Sequence, residues 1–468
     1  MKIKLLSLLS LVLALLLLSS CGGTPSANDD LPPDAARING TLLEEFTIIY
    51  SNRDSDYSAR AAQYIKEEIK NRTALELEVK TDTAEKSWEY EIVVGETNRD
   101  ISKKLDADTK GMQFAITAND TQIALEGDNF VIAAAAYYFV NTYVTADKFN
   151  AKISDEVSIC EPITEKPNNY IFLIGDGMGV YQTRLFEVME IPSADNFSDN
   201  EDIFYGYMFP YQGFSQTDSL SGVTDSAAGG TALASGYKTK NENVGMFVAR
   251  KDVQSLTELA GSLGMSTAVM STDSETGATP AAFTAHVKDR DLTDAIKESQ
   301  KKIVEAYGTI IKCGYTEYVP AKVHTLEKDV LATIDALDDN EKGFFMMYEE
   351  GHIDKHSHNN DIEKTFLALL RFNQVIGTVM EYSFYNPDTF VIITADHETG
   401  DLRPDESGNF KYNLEKHSGA DVPIFAYGEG AEVFEGKTVS NVQIPKTIAS
   451  YWGVTKFGNA ELEGPLTK

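Results

Sequence analysis

Tyr170-Ile-Phe-Leu-Ile-Gly-Asp176-Gly-Met-Gly179 decides the architecture of this 468-residue chain. Its uncharged, mostly apolar run has the length of a strand buried on both faces, and it ends on a carboxylate in a glycine-rich bend where ligands can come close. Thr389-Phe-Val-Ile-Ile-Thr-Ala-Asp396-His397 repeats the arrangement with an acid and an imidazole side by side, and Gly343-Phe-Phe-Met-Met-Tyr-Glu349-Glu350-Gly351 repeats it with glutamate. Further strands are expected at 266–270 and 422–427. They alternate with amphipathic helices such as 361–382, where Ile362, Phe366, Leu369, Leu370, Ile376 and Met380 share a face that only Asn373 interrupts. This pattern predicts an α/β domain over residues 168–468, with a mostly parallel central sheet flanked by helices. The carboxyl ends of such strands line the ligand crevice, so three strands deliver acids to one place.

Acids crowded together without counter-charge repel each other, and divalent metals resolve the conflict: Asp and His suit zinc, all-oxygen sets suit magnesium. Asp354 and His358, four residues apart, share a face if a helix begins after Ile353, while His356 points away. His417, in the polar loop before the strand at 422, is a candidate third ligand. Val223-Thr-Asp-Ser-Ala-Ala-Gly-Gly-Thr-Ala232 reads as a helix start with a slim first turn, whose free N–H groups and dipole favour an anion. Ser226 there is either a plain N-cap or an attacking hydroxyl, given a group to remove its proton.

Lys+Arg 41 against Asp+Glu 72 leave a formal charge of -31, which argues against a nucleic-acid-binding role because the surface repels a polyanion. A site for an anionic substrate must then bring its own positive charge. Lys2 and Lys4 before the apolar run 5–18 predict a signal peptide over residues 1–20. The residues before Cys21 resemble a bacterial lipobox, so a lipidated Cys21 is expected to anchor an exported protein to a membrane, facing periplasm or cell exterior. Residues 21–39 are small, polar and proline-rich, and are expected to form a tether without fixed structure. Over 40–160, strand patterns at 46–50, 75–79, 90–94, 112–117 and 122–125 and helical patterns at 57–70 and about 129–143 predict a small α+β module. Tyr90-Glu-Ile-Val-Val-Gly-Glu-Thr-Asn-Arg99, with Leu125-Glu-Gly-Asp-Asn, resembles the non-catalytic domain at the N-terminus of several secreted carbohydrate-active enzymes, which implies docking or spacing. Cys160 and Cys313 could pair in an oxidising compartment, but nothing in the sequence brings them together.

Ile174-Gly-Asp-Gly-Met-Gly179, Val223-Thr-Asp-Ser-Ala-Ala228, Ala278-Thr-Pro-Ala-Ala282 with Ala285-His-Val-Lys-Asp-Arg290, residues 349–358, Thr394-Ala-Asp-His397 and His417-Ser-Gly-Ala-Asp-Val-Pro closely resemble the alkaline phosphatases, in that family's order over residues 170–456. The resemblance implies two zinc ions and one magnesium, and hydrolysis of small phosphate monoesters through a phosphoserine. On it, Asp354, His358 and His417 match the ligands of the first zinc, and Asp176, Asp396 and His397 those of the second, beside Ser226. Asp176, Thr279 and Glu349 match the magnesium ligands, and Arg290 the guanidinium that grips phosphate in a fork lysine cannot supply.

The chain departs from that pattern in places. Glu349 and Glu350 are adjacent, so a one-residue slip exchanges them; spacing favours Glu349. Gly277 stands where relatives often carry an acidic or imidazole group, which leaves the grip on magnesium open, and Lys355 is either solvated or a water-mediated phosphate contact. His286, His324, Trp88 and Trp452 are expected to be structural. The catalytic part is short enough that dimerisation is not implied, and a monomer is preferred. The alternatives are a phosphodiesterase or sulfatase of the same superfamily, against which Ser226 and Arg290 speak, and an inactive glycan-binding surface lipoprotein.

Overall fold

The computed structural model describes residues 36–52, 56–84, 87–105, 111–144, 150–190, 203–248, 251–315 and 320–467. The signal peptide, Cys21 and most of the tether lie outside the described residues, as does the side chain of His324. Among the described residues no helix is long and apolar enough to cross a membrane.

The chain divides into two compact units, one from segments up to Ile159 and one chiefly from Cys160 onward. In the first, a six-stranded sheet carries Phe46–Tyr50, Val79–Thr81 and Tyr90–Val94 in parallel, with Gln122–Glu126 parallel to Tyr90–Val94 and antiparallel to Phe114–Ala118. Asn119 turns that hairpin by accepting from the N–H of Thr121 and Gln122. Of the alternating run at 75–79 only Val79 enters a strand. The expected end of the tether at residue 39 is corrected: Arg37–Ile38 pairs antiparallel with Thr41–Leu42. Asn39 and Gly40 hold φ of 52° and 92°, the left-handed pair that closes a two-residue hairpin.

The second unit is built on an eight-stranded sheet. In chain order its strands are β1 (Asn169–Gly175), β2 (Tyr211–Gln216), β3 (Ser266–Ser271), β4 (Ile310–Cys313), β5 (Phe344–Glu350), β6 (Thr389–Thr394), β7 (Val422–Tyr427) and β8 (Thr438–Ser440). Across the sheet they run β4-β3-β5-β1-β6-β7-β2-β8. The first five of these are parallel, and β1, β5 and β6 are wholly buried, as their apolar runs require, with charge in β5 confined to its last two residues, Glu349 and Glu350. β7 runs antiparallel to both β6 and β2, because residues 395–421 return without a crossover helix. Cys313 on β4 keeps a free thiol, so the pairing with Cys160 is not made.

Four helices position the site: α1 (Ser226–Ser235), α2 (Ala278–Thr284), α3 (His352–His358) and α4 (Ile362–Tyr385). Helix α4 starts where the Asp361 carboxylate caps the Lys364 N–H. Its Asn373 is buried and satisfied, accepting from the Tyr205 N–H at 2.7 Å and donating to the Ile203 carbonyl at 3.1 Å. Trp452 packs edge-on against Tyr170 and Phe345, a core role.

Candidate active site

Strand register does the first part of the assembly. Ile174 of β1 pairs with Glu349 of β5 on one side and Thr394 of β6 on the other, so Asp176, Glu349 and Asp396 emerge together at the carboxyl ends of three adjacent strands. All three are buried, and Asp176 Oδ1, Glu349 Oε1 and Asp396 Oδ2 have no hydrogen-bond partner; the same holds for Thr279 Oγ1 at the start of α2. Burial raises the carboxyl pKa of Asp176, with Asp396, Asp354 and Glu349 adding repulsion. Burial likewise pushes Asp396 up to about 7 and Glu349 up to about 8. Unpaired buried oxygens at three neighbouring carboxylates are the signature of a floor built for cations.

Glu350 has a different job. Its carboxylate takes two charge-assisted bonds from Arg371 on α4, at 2.7 and 2.5 Å, plus the Thr272 hydroxyl at 2.9 Å. Burial alone would raise its pKa; Arg371 and His352 outweigh it and hold the group down at about 2. Of the adjacent glutamates, Glu349 is therefore the one whose oxygen is left for the floor.

The imidazoles are oriented by their second nitrogens. His417 Nδ1 donates to the Thr224 carbonyl at 2.8 Å and His358 Nδ1 to the Glu415 carbonyl at 2.8 Å, so each turns its Nε2 inward. Those two Nε2 atoms stand 3.0 Å apart, and lie 3.5 and 3.3 Å from Asp354 Oδ1. His397, fully buried, stacks on the His417 ring at 3.6 Å and aims Nε2 at Asp176 and Asp396, 3.5 and 3.3 Å away. Burial and the neighbouring His417 keep it neutral, far below the usual histidine pKa. Burial works against the Asp354 charge, but His417, His397 and His358 overcome it and lower its pKa. Asp354, His358 and His417 form one set of ligand atoms mutually within 4.8 Å, and Asp176, Asp354 and His397 another. His356 points away, against the His352 ring.

Ser226 opens α1, and it is not the cap. Asp225 takes that role, accepting from the Ala228 N–H at 2.9 Å, which frees the serine hydroxyl; Ser226 Oγ lies 3.1 Å from His397 Nε2. The slim start of α1 has a clear use. A Cβ on Gly229 would stand 2.9 Å from the Asp396 carbonyl oxygen, and one on Gly230 3.2 Å from Thr279 Cα, so glycine lets both neighbours close in. Arg290 is half-exposed, with its guanidinium 3.6 Å from Asp225 Oδ2 and near enough to Asp176 and His397 to act on their charge states.

The structure thus brings Asp176, Ser226, Thr279, Arg290, Glu349, Asp354, His358, Asp396, His397 and His417 to one end of the sheet. Three further residues were not singled out from the sequence. Asp225 caps the serine helix and faces Arg290, and its place beside the serine was the available signal. Thr399 Oγ1 donates to Asp354 Oδ1 at 2.5 Å. Glu398 accepts from Gln182 Nε2, the Asp401 and Leu402 N–H groups and the Ser418 hydroxyl, which ties the segment after His397 to the one after His417. His286, by contrast, is satisfied by the Gly245 carbonyl and Glu258, away from this floor.

Cations on such a floor would relieve the repulsion among its carboxylates, and a hydroxyl set beside it is the equipment of a metal-binding α/β hydrolase. The chain belongs to the alkaline phosphatase family, whose model matches residues 167–313 and 317–408, just over half its length. Alkaline phosphatase 4 of Bacillus subtilis is 28% identical over 352 residues, which covers 63% of this chain and 73% of that protein. The alkaline phosphatase of Escherichia coli is 34% identical over 151 residues, 30% of each chain. Among solved structures, the alkaline phosphatase of the Antarctic bacterium TAB5 shares the fold with a TM-score of 0.54 at 24% identity, covering 62% of this chain and 100% of that one.

Proposed function

We propose that the chain hydrolyses phosphate monoesters by way of a phosphorylated Ser226. The observation that carries this is the freed Ser226 hydroxyl, 3.1 Å from His397 Nε2 and next to two convergent sets of ligand atoms. Asp354, His358 and His417 would hold one zinc ion, Asp176, Asp396 and His397 a second, and Asp176, Thr279 and Glu349 a magnesium ion. Bound there, the cations supply positive charge that lowers the pKa of nearby hydroxyls and offsets charge on the departing oxygen. The unpaired oxygens of Asp176, Thr279, Glu349 and Asp396 fit that loading, and a variant of the TAB5 enzyme has been solved with Mg bound.

The protein's own part is positional. The α1 N-terminus directs backbone N–H groups and a positive dipole end at the phosphate, and Arg290 grips its equatorial oxygens. Ser226 Oγ gives up its proton and attacks phosphorus in line; the bond to the ester oxygen breaks and the alcohol leaves with a proton. Water then attacks the phosphoserine from the opposite side, the P–Oγ bond breaks, and inorganic phosphate departs while the serine regains its proton. The apolar run at 5–18 and Cys21 support an exported, lipid-anchored setting.

Turnover of a chromogenic phosphate monoester, against the matching diester and sulfate and with and without chelator, tests this reading. Monoester preference abolished by chelator is expected; preference for diester or sulfate would overturn it.

A further inference from the structure

Glu398 directly follows His397 and is only 5% exposed, yet the four groups that bond its carboxylate are all neutral. Oε1 accepts from Gln182 Nε2 at 2.9 Å and from the Leu402 N–H at 3.2 Å. Oε2 accepts from the Asp401 N–H at 3.1 Å and from the Ser418 hydroxyl. Burying a carboxylate on neutral donors is costly, and a glutamine of the same shape could not replace it, because its amide nitrogen donates where a second acceptor is needed. The two oxygens reach different loops. Gln182 lies in the turn after Asp176, and its Nε2 also donates to the Thr399 carbonyl at 2.8 Å, while the Thr399 N–H bonds the Gly177 carbonyl at 3.2 Å. A Cβ on Gly179 of that turn would collide with Glu398 Cγ, so glycine lets the turn close on the carboxylate. Ser418 directly follows His417, in a ladder of two residues that sets Glu398 opposite Ser418 and Thr399 opposite His417. So short a ladder does not hold its register unaided. The loops joined at Glu398 carry Asp176, Asp396 with His397, and His417, although none of its four bonds goes to these side chains.

We propose that Glu398 is a positioning residue that sets the separation of the two zinc positions, Oε2 fixing the His417 turn through Ser418 and Oε1 fixing the Asp176 turn through Gln182. The inference rests on the metal loading given under the proposed function. The His397 and His417 rings, 3.6 Å apart between centroids, belong to different zinc sets, so the register of this ladder is also the register of the two sets. Each half of the carboxylate then governs one set, and removing a single donor loosens one zinc without the other.

The test is competition of the full chain with a chelator for zinc, which resolves two constants, assigned with His417→Ala and His397→Ala. Ser418→Ala is expected to weaken the zinc of the Asp354, His358 and His417 set roughly ten-fold and to spare the other, the scale for losing a group that orients a ligand. Gln182→Leu should do the reverse, and Glu398→Gln should weaken both. In the cobalt-loaded protein, magnetic coupling between the two ions reads their separation, and it should change in Glu398→Gln. His286→Gln, which loosens the fold away from the floor, is the control and should leave both constants in place. Unchanged constants in Glu398→Gln, equal losses at both zincs in Ser418→Ala, or the same losses in the control overturn the proposal. Wild-type protein that holds no zinc overturns the metal loading itself, and this proposal with it.

Discussion

Asp225 serves three neighbours: Oδ1 caps the Ala228 N–H, while Oδ2 accepts from the Glu242 N–H at 2.8 Å and faces Arg290, and two substitutions separate the cap from the charge. Asn is as good an N-cap as Asp, so Asp225→Asn should keep the cap while removing the charge that faces Arg290, at the cost of the one bond from the Glu242 N–H. KM should rise several-fold as the guanidinium loses its anchor. Asp225→Ala should add a stability loss of about 1 kcal/mol from the empty cap, read from chemical denaturation. Equal melting behaviour of the two variants would refute the cap assignment. The paired glutamates divide in the same way. Arg371→Met strands the buried Glu350 charge and should cost about 3–5 kcal/mol, most of it recovered in Glu350→Gln with Arg371→Met. Glu349→Gln should instead fold normally and lose magnesium on metal analysis. Ser226→Ala should abolish most turnover and keep its zinc.

Helix α1 shows how an element is tuned for access over local stability. On propensity alone, Gly229→Ala should gain about 1 kcal/mol in a helix interior. The added methyl meets a backbone oxygen of the Asp396 turn at 2.9 Å, and backbone cannot swing aside. Overpacking of this kind costs about 1–3 kcal/mol, so a net loss is expected, together with a fall in kcat of roughly ten-fold or more as Asp396 is displaced. Gly230→Ala, whose nearest neighbours are 3.2 Å away, should be milder on both counts. Such elements were legible in different degrees. β1, β5 and β6 could be read because burial on both faces leaves a charge-free run that ends abruptly on an acid. β2, with exposed Phe214 and Gln216, and the short β4 and β8 carry no such run; their places depend on neighbours far away in sequence. The direction of β7 was equally hidden, since an apolar strand reads alike both ways. The residues gathered at the floor were visible through motif order. Thr399 and Glu398 were not, because each acts through the groups it holds and leaves no spacing of its own.

Across the whole molecule, the acidic floor makes stability depend on loading and on pH. Glu349 and Asp396 are pushed up to about 8 and 7, above their unfolded values, so the folded chelated protein holds protons that the unfolded chain releases. Stability of the chelated form should therefore fall as pH rises from about 5 to 8, and zinc with magnesium should raise the melting temperature most at the upper end. A flat profile for the chelated form would contradict the burial argument. The His286–Glu258 pair adds a smaller dependence away from the floor. Burial opposes both charges, yet each group's pairing with the other outweighs it, raising the His286 pKa and lowering that of Glu258. The pair's support is thus present near pH 5–6 and lost as pH climbs through the raised imidazole value, so His286→Gln should lower the melting temperature more at pH 5.5 than at pH 9. One consequence concerns timing. The Ser226 loop and the His417 ring are joined by a single bond to the Thr224 carbonyl, although almost two hundred residues of chain separate them. A ribosome that has made Ser226 has yet to make the His417 ring, so the surroundings of that hydroxyl close only once the later segment has been translated and folded back.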